Sequence, residues 1–272
     1  MPLAVNANER IFWLVDDEKE LMHLRDGKPR SISVDVVYLV TSRLTSFDIQ
    51  MKLTSVSRMK YELENTQNTC VANRIKTKAR ENYSVFSSPI SLHPTPRVYY
   101  MSDKLTIGEG LLDEEGHLLS LMHLLDANPT AKLTIVKDAS YGHFIDDQIK
   151  LIPEQKIQYL NVDNRYQTSP KLLVEGFADI TVENPGEFRR QMATLGNPQN
   201  AKGLGLSGAI QFVLGHVACS KSELGAKVVA EVNEVFDTIA GSQEHYSAHL
   251  PYIDAQQMEE FTSKYKAKFG SK

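Results

Sequence analysis

No basic run or patch appears anywhere in this chain. Its 30 Lys and Arg are scattered among 34 Asp and Glu, for a net charge of −4. Nucleic acid is therefore not an expected partner, because phosphate recognition needs clustered cations. No apolar run approaches the roughly 18 residues that a membrane-crossing helix needs. Internal repeats and low-complexity tracts are also absent. Cysteine is scarce, with Cys70 and Cys219 alone. Each lies in or beside a β-like run, as Asn-Thr-Cys70-Val-Ala and Gly215-His-Val-Ala-Cys219. The pair reads either as two buried thiols or as one disulfide. Export would favour the disulfide, which contributes roughly 2–4 kcal/mol for so long a loop. Tryptophan occurs once, at Trp13.

What is present is ordinary globular material. The 272 residues suit one large or two modest domains and can bury a real core. The first seven residues, Met1-Pro-Leu-Ala-Val-Asn-Ala7, are small and apolar and end as a signal peptidase substrate ends. They lack a charged start and a full apolar core. A remnant of an export signal and an ordinary irregular start both fit.

Strands and helices alternate along the chain. Runs at Ile11–Val15, Phe47–Leu53, around Cys70, Arg97–Met101, Lys132–Val136, Ile157–Leu160, Ala178–Glu183 and Ala209–Cys219 read as strands. Helical spacing marks Val34–Ser42, Arg58–Glu64, Glu114–Leu125, Tyr141–Ile149, Ser169–Gly176, Pro185–Thr194, Glu223–Ile239 and Ala255–Phe269. The pattern predicts an α/β protein with largely parallel sheets. The block from about Ser102 to Val182 can close a small sheet of its own, which leaves the flanking parts to share another. Two lobes joined by two chain crossings follow, near Tyr99–Met101 and Glu183–Pro185. A small ligand is expected in the cleft of such a fold.

The stretch CVANRIKTKARENYSVFSSPI, Cys70 to Ile90, carries the most chemistry. A strand leads into Thr77 and Arg80, and a Phe-Ser-Ser-Pro turn is expected at Phe86–Pro89. A hydroxyl and a planar guanidinium fork presented together suit a carboxylate.

Five segments taken in order resemble the type 2 periplasmic solute-binding proteins, in the amino-acid-binding (family 3) branch. They are Asp26-Gly-Lys-Pro29 with Val34-Asp35; Thr77-Lys-Ala-Arg80 with Phe86-Ser-Ser-Pro89; Asp138-Ala-Ser140-Tyr-Gly142; Leu172 to Asp179 with Glu183-Asn-Pro185; and Val217 to Gly225. Together they span nearly the whole chain. The resemblance implies a two-lobed fold with residues 8–101 and 184–272 in lobe 1 and 102–183 in lobe 2. It implies that Arg80 grips a ligand carboxylate with Thr77 in support. Ser140 donates to the same carboxylate from a helix start, which suits the anion preference of helix N-termini. Glu183 holds the ligand amine with Asn184 adjacent, and Trp13 is a candidate cover for the ligand. Neither cofactor nor metal is implied.

Departures from the family pattern bear on the ligand. Ser31 stands where the family has Gly, and Ile90 where Tyr is common. The acid at the return crossing lies one position off register. The loop Asp16-Asp-Glu-Lys19 lacks the usual Pro-Pro-Phe and reads as a solvated charge run, with a preference for a cationic ligand as the alternative.

Other motifs are weak. Gly203 to Gly208 fits GxGxxG but follows a polar loop. His245 and His249 are four apart without a metalloprotease frame and read as a surface helix. Ser57 to Lys60 fits SxxK without companions. Asn82-Tyr-Ser84 is a glycosylation sequon only in a host that reads it. An enzyme on this fold needs a general acid or base in the cleft, and Glu183 is the one obvious candidate. The reading is a non-enzymatic, exported, monomeric receptor that presents a small polar, carboxylate-bearing, amino-acid-like solute to an ABC importer from the periplasm. The alternatives are a ligand-sensing subunit for a membrane signalling protein, or a member that has lost amino-acid binding.

Overall fold

The computed structural model describes residues 9–162 and 164–270. The expected signal remnant, residues 1–7, lies outside the described residues. In chain order the elements are β1 (Glu9–Val15), α1 (Glu18–Asp26), α2 (Ile32–Thr41), β2 (Phe47–Leu53), α3 (Val56–Asn65), β3 (Thr69–Arg74), α4 (Lys78–Glu81), β4 (Ser84–Pro94), β5 (Arg97–Met101) and α5 (Leu121–Ala127). They continue as β6 (Leu133–Val136), α6 (His143–Lys150), β7 (Ile157–Leu160), α7 (Arg165–Glu175), β8 (Ile180–Glu183), α8 (Pro185–Thr194), β9 (Ala201–Leu204), β10 (Phe212–Ser220), α9 (Glu223–Ile239), α10 (Gln243–Ser247) and α11 (Met258–Phe269).

The chain forms two compact units. One takes the residues up to Thr54, Arg58–Leu92, and Leu214 onward; the other takes Ser55–Ser57 and His93–Val213. Each holds a five-stranded sheet flanked by helices, in the orders β2-β1-β3-β10-β4 and β7-β6-β8-β5-β9. In the first sheet β2, β1 and β3 are parallel, with β10 antiparallel to β3. The second repeats the plan: β7, β6 and β8 are parallel, and β5 runs antiparallel to both β8 and β9. Strand β5, placed in lobe 1 by the sequence reading, thus hydrogen-bonds into the second sheet. Its Tyr99 also stacks on Phe188 of α8 at 3.6 Å, and this brings α8 into the same unit.

Apolar strand faces build the cores. In the first unit Leu14 and Val71 meet Met59 and Leu63 of α3. In the second, Leu133, Ile135, Ile180 and Val182 pack with Leu121, Leu124 and Ile145. Each such side chain contributes about 1.5–3 kcal/mol on leaving water. Cys70 and Cys219 stand opposite each other in the β3–β10 register and are joined by a disulfide, with at most 1% of either exposed.

Four local expectations are corrected. Residues 84–94 are one long strand, not a turn at Phe86–Pro89; β4 ends its sheet, and outer strands tolerate proline. The acidic run is not a solvated loop. Asp17 is fully buried and caps α1 by accepting the Glu20 N–H at 3.0 Å, while Glu18 and Lys19 form the first turn. Helix α5 starts at Leu121, capped by Ser120, rather than at Glu114. Ahead of it Asp113 accepts the N–H groups of Glu115 and His117, and Gly116 takes the left-handed region, φ +79°, which folds a turn there. His245 and His249 are not on a surface helix; both are fully buried.

Candidate functional site

Ligands of open α/β sheets collect beyond the carboxyl ends of parallel strands. Five of the six candidate residues fall at such ends. Thr77 and Arg80 follow β3, Ser140 follows β6, and Glu183 and Asn184 close β8.

In the first unit, Thr77 is extended (φ −132°, ψ 153°) and caps the single turn of α4 by accepting the Arg80 N–H at 3.3 Å. That bond uses an oxygen lone pair and not the hydroxyl proton. The Arg80 side chain is buried, and its Nη1 donates to the Ile75 carbonyl at 2.9 Å. One of the five guanidinium donors thereby fixes the fork against the strand end.

Beside it, the end of β1 carries a polar network that sequence reasoning missed. Asp16 and Asp17 are buried, and Asp17 Oδ1 lies 3.6 Å from Arg30 Nη2. Glu20, also buried, accepts the Ser31 hydroxyl at 3.1 Å, and Ser31 caps α2 by accepting the Val34 N–H at 3.1 Å. Ser31 is therefore a helix cap where the family has Gly. The available signal was Asp17-x-x-Glu20, the spacing of a capping box, ahead of an apolar run. Asp35, from the DGK segment, accepts the Arg30 N–H at 2.9 Å and the Tyr252 hydroxyl at 2.8 Å, while burial pushes its carboxyl above the usual range.

Trp13 lies elsewhere. It is 1% exposed in mid-β1, in register with Met51 of β2 and Cys70 of β3. A ligand cover needs an open ring face, and this ring is core.

In the second unit, the loop before α6 is closed by its own carboxylate. Asp146 Oδ2 accepts the Ser140 hydroxyl at 2.5 Å and Oδ1 accepts the Tyr141 N–H at 2.8 Å. Ser140 Oγ in turn accepts the Gly142 N–H at 3.4 Å. A serine has one proton to give, so Ser140 donates to a ligand carboxylate only by releasing Asp146. Glu183 is buried at the end of β8, opposite Arg97 in register. Asn184 caps α8, accepting the Gly186 N–H at 3.1 Å and donating to the Pro94 carbonyl at 3.4 Å, and Pro185 fills the first helical position. Both ends of its amide serve the fold.

The GxGxxG segment is spent on packing. Gly203 lies in β9 against the Tyr99 ring, where a Cβ would fall 2.4 Å from Cε1. Among the described residues, no three His, Cys, Asp or Glu side chains gather as a metal site.

Solved structures with the same architecture now place the fold. A histidine kinase sensor domain with similarity to periplasmic binding proteins aligns at TM-score 0.60, over 96% of this chain and 95% of its own, at 12% identity. The fold is that of the periplasmic binding proteins. A putative L-cystine ABC transporter from Listeria monocytogenes aligns at TM-score 0.62, 16% identity, over 91% of this chain and 96% of its own. A solute receptor for L-cysteine from Neisseria gonorrhoeae aligns at TM-score 0.63, 12% identity, over 92% of each chain. No protein-family model and no curated protein matches the sequence. At such identities the likeness concerns the fold, and the solutes named belong to those proteins.

Proposed function

We propose that this chain is a non-enzymatic solute receptor. It binds a small polar, carboxylate-bearing solute at its strand-end residues and presents it to an ABC importer from the periplasm. The observation that supports this most directly is Arg80, a buried guanidinium oriented by Ile75 at the carboxyl end of β3, with Thr77 capping the same turn. A bidentate fork in a desolvated position is the chemistry that selects carboxylates. Glu183 supplies an acidic counterpart for an amine in the second unit. Neighbours of this fold whose names include an L-cystine transporter and an L-cysteine receptor agree with a solute of this class. Among the described residues no helix is long and apolar enough to cross a membrane.

Thermal unfolding against a panel of amino acids, polyamines, small organic acids and short peptides tests the reading. A ligand at about 100 times its Kd raises stability by ~2.7 kcal/mol. The expected hit carries a carboxylate and is lost in Arg80→Ala. A hit that survives Arg80→Ala removes Arg80 from the site. A second reading, a ligand-sensing subunit, has one specific observation in its favour: the histidine kinase sensor domain among the neighbours. A panel without any hit supports a receptor that has lost amino-acid binding.

A further inference from the structure

The two buried histidines of α10 and its C-terminal flank have no part in the strand-end chemistry, yet their hydrogen bonds are set in one direction throughout. Strand β4 is the outermost strand of its sheet. Two of its main-chain groups are bonded to imidazoles rather than to a strand. The Leu92 N–H donates to His249 Nε2 at 3.3 Å, and the Ile90 carbonyl lies 2.9 Å from His245 Nε2.

A backbone N–H only donates and a carbonyl only accepts, which fixes the tautomers. His249 Nε2 is bare, so its Nδ1 carries the proton and donates to the His245 carbonyl at 2.8 Å. His245 Nε2 carries a proton for Ile90, so its Nδ1 is bare and accepts the Tyr265 hydroxyl at 2.6 Å. Tyr265 is in turn hydrogen-bonded to the Gly241 backbone. A continuous path runs from the end of α9, through α11 and α10, to β4. The surroundings are aromatic: Phe236 of α9 and Phe261, Tyr265 and Phe269 of α11 all lie within 6 Å of one imidazole or the other.

We propose that His245 and His249 form a proton-sensitive latch that holds the α10–α11 segment on the outer strand β4, and that protonation of His249 opens it. A proton on His249 Nε2 sets two N–H groups head to head, and the Leu92 bond breaks. Release of His249 then pulls on the His245 carbonyl that it holds.

The titratable groups around the latch are few in kind. Tyr265 on α11 and Tyr246 on α10 are phenols, and burial pushes Tyr265 up. Glu244 faces away from the pair and meets Arg43 at 2.9 Å. Asp35 holds the chain beyond His249 through Tyr252. On β10, His216 bonds the Ser87 carbonyl of β4 at 2.9 Å, and burial, aided by Lys76 and Lys268, opposes its charging. Burial lowers His245 as well, which agrees with a neutral His245 ring near pH 7. Neutral burial makes the latch complete above about pH 6.5 and weakens it as pH falls below that value, because the released rings bind protons that the latched rings cannot.

The test uses the full chain. Ring ¹⁵N shifts at pH 7.5 are expected to show opposite neutral tautomers, His249 bare at Nε2 and His245 bare at Nδ1. Amide exchange, normalised to intrinsic rates, is expected to lose at least tenfold protection at Leu92 and through α10–α11 between pH 7 and pH 5, while β6 in the other unit keeps its protection. In His249→Gln, which accepts from Leu92 but takes no proton, the loss of Leu92 protection across that window becomes clearly shallower than in the natural chain, the remainder being carried by His245. A charged ring at pH 7.5, the same tautomer for both rings, or Leu92 protection that holds to pH 5 overturns the proposal. A fall shared equally by β6 also overturns it, because that is global unfolding. If His249→Gln fails to fold, the wild-type tautomers and exchange profile decide alone.

Discussion

The Asp146 carboxylate accepts the Ser140 hydroxyl at 2.5 Å and the Tyr141 N–H at 2.8 Å. The start of α6 therefore meets any incoming carboxylate with a negative charge already in place. Asp146→Asn keeps the acceptor for Tyr141, removes the charge and returns the Ser140 proton. A charge at a helix start is worth about 0.3–1 kcal/mol when exposed and up to ~2 kcal/mol when partly buried. Affinity for a carboxylate solute is expected to rise by roughly two- to thirtyfold, measured by titration calorimetry with the solute found in the panel. An unchanged affinity confines Asp146 to loop closure and takes Ser140 out of the ligand's reach.

Trp13 and Arg80 are separable by mutation. Truncating a fully buried aromatic costs about 3–5 kcal/mol, so Trp13→Ala is expected to lower the first unit's stability by that amount in urea unfolding. Below the unfolding transition its solute affinity should equal that of the natural chain. Lost affinity in folded Trp13→Ala would show that the ring contacts the solute after all.

What the sequence made legible was local and self-contained. Pro185 at a helix start bounded α8, and the expected spans of α8 and α9 match the structure to the residue. Parallel β-α alternation revealed both sheets. The misreadings share a different cause. Pro89 looks like a turn until β4 is known to lie at a sheet edge. His245 and His249 look solvated until Ile90 and Leu92, more than 150 residues earlier, arrive to bond them. Trp13 looks like a ligand cover until β1 is seen to be an inner strand whose Trp13 ring is buried in the core. The charge run at Asp16–Lys19 hid a helix cap, Asp17, that was visible in principle. Burial set by distant segments is not written in a local window.

Acid should weaken the fold before carboxylates titrate. Desolvation holds the His93 imidazole down to about 4, and burial lowers His216 and His245 as well. A histidine lowered in the folded state takes its proton first in the unfolded chain. Stability is thus full above about pH 6.5 and drains between about 6.5 and about 4. Asp35 acts in the opposite sense. Its carboxyl is raised in the fold, so the folded chain protonates there first and the slope softens as pH falls through that range. Urea midpoints taken every half unit from pH 7.5 to 4.5 are expected to decline steadily, and the decline should be shallower in His93→Gln. A flat profile would mean that the folded rings take protons as readily as free histidine does.

The Cys70–Cys219 link joins neighbouring strands at a directly opposed pair, and both residues are at most 1% exposed. Its first effect is on the unfolded chain, where it closes a loop across 149 positions of sequence. Such closure is worth roughly 2–5 kcal/mol. Replacing both cysteines by alanine is expected to lower stability by that amount with the native fold retained, since two small side chains suit the same slot. Burial adds a kinetic consequence. Thiolate attack on a disulfide requires access to sulfur, and none exists in the folded sheet. Reductant should leave the folded protein oxidised for as long as it stays folded, and reduction should proceed at the rate of unfolding, rising with urea. Thiol trapping followed by mass spectrometry separates the two regimes. Rapid reduction without denaturant would place the bond where solvent reaches it, against the packing of β3 on β10.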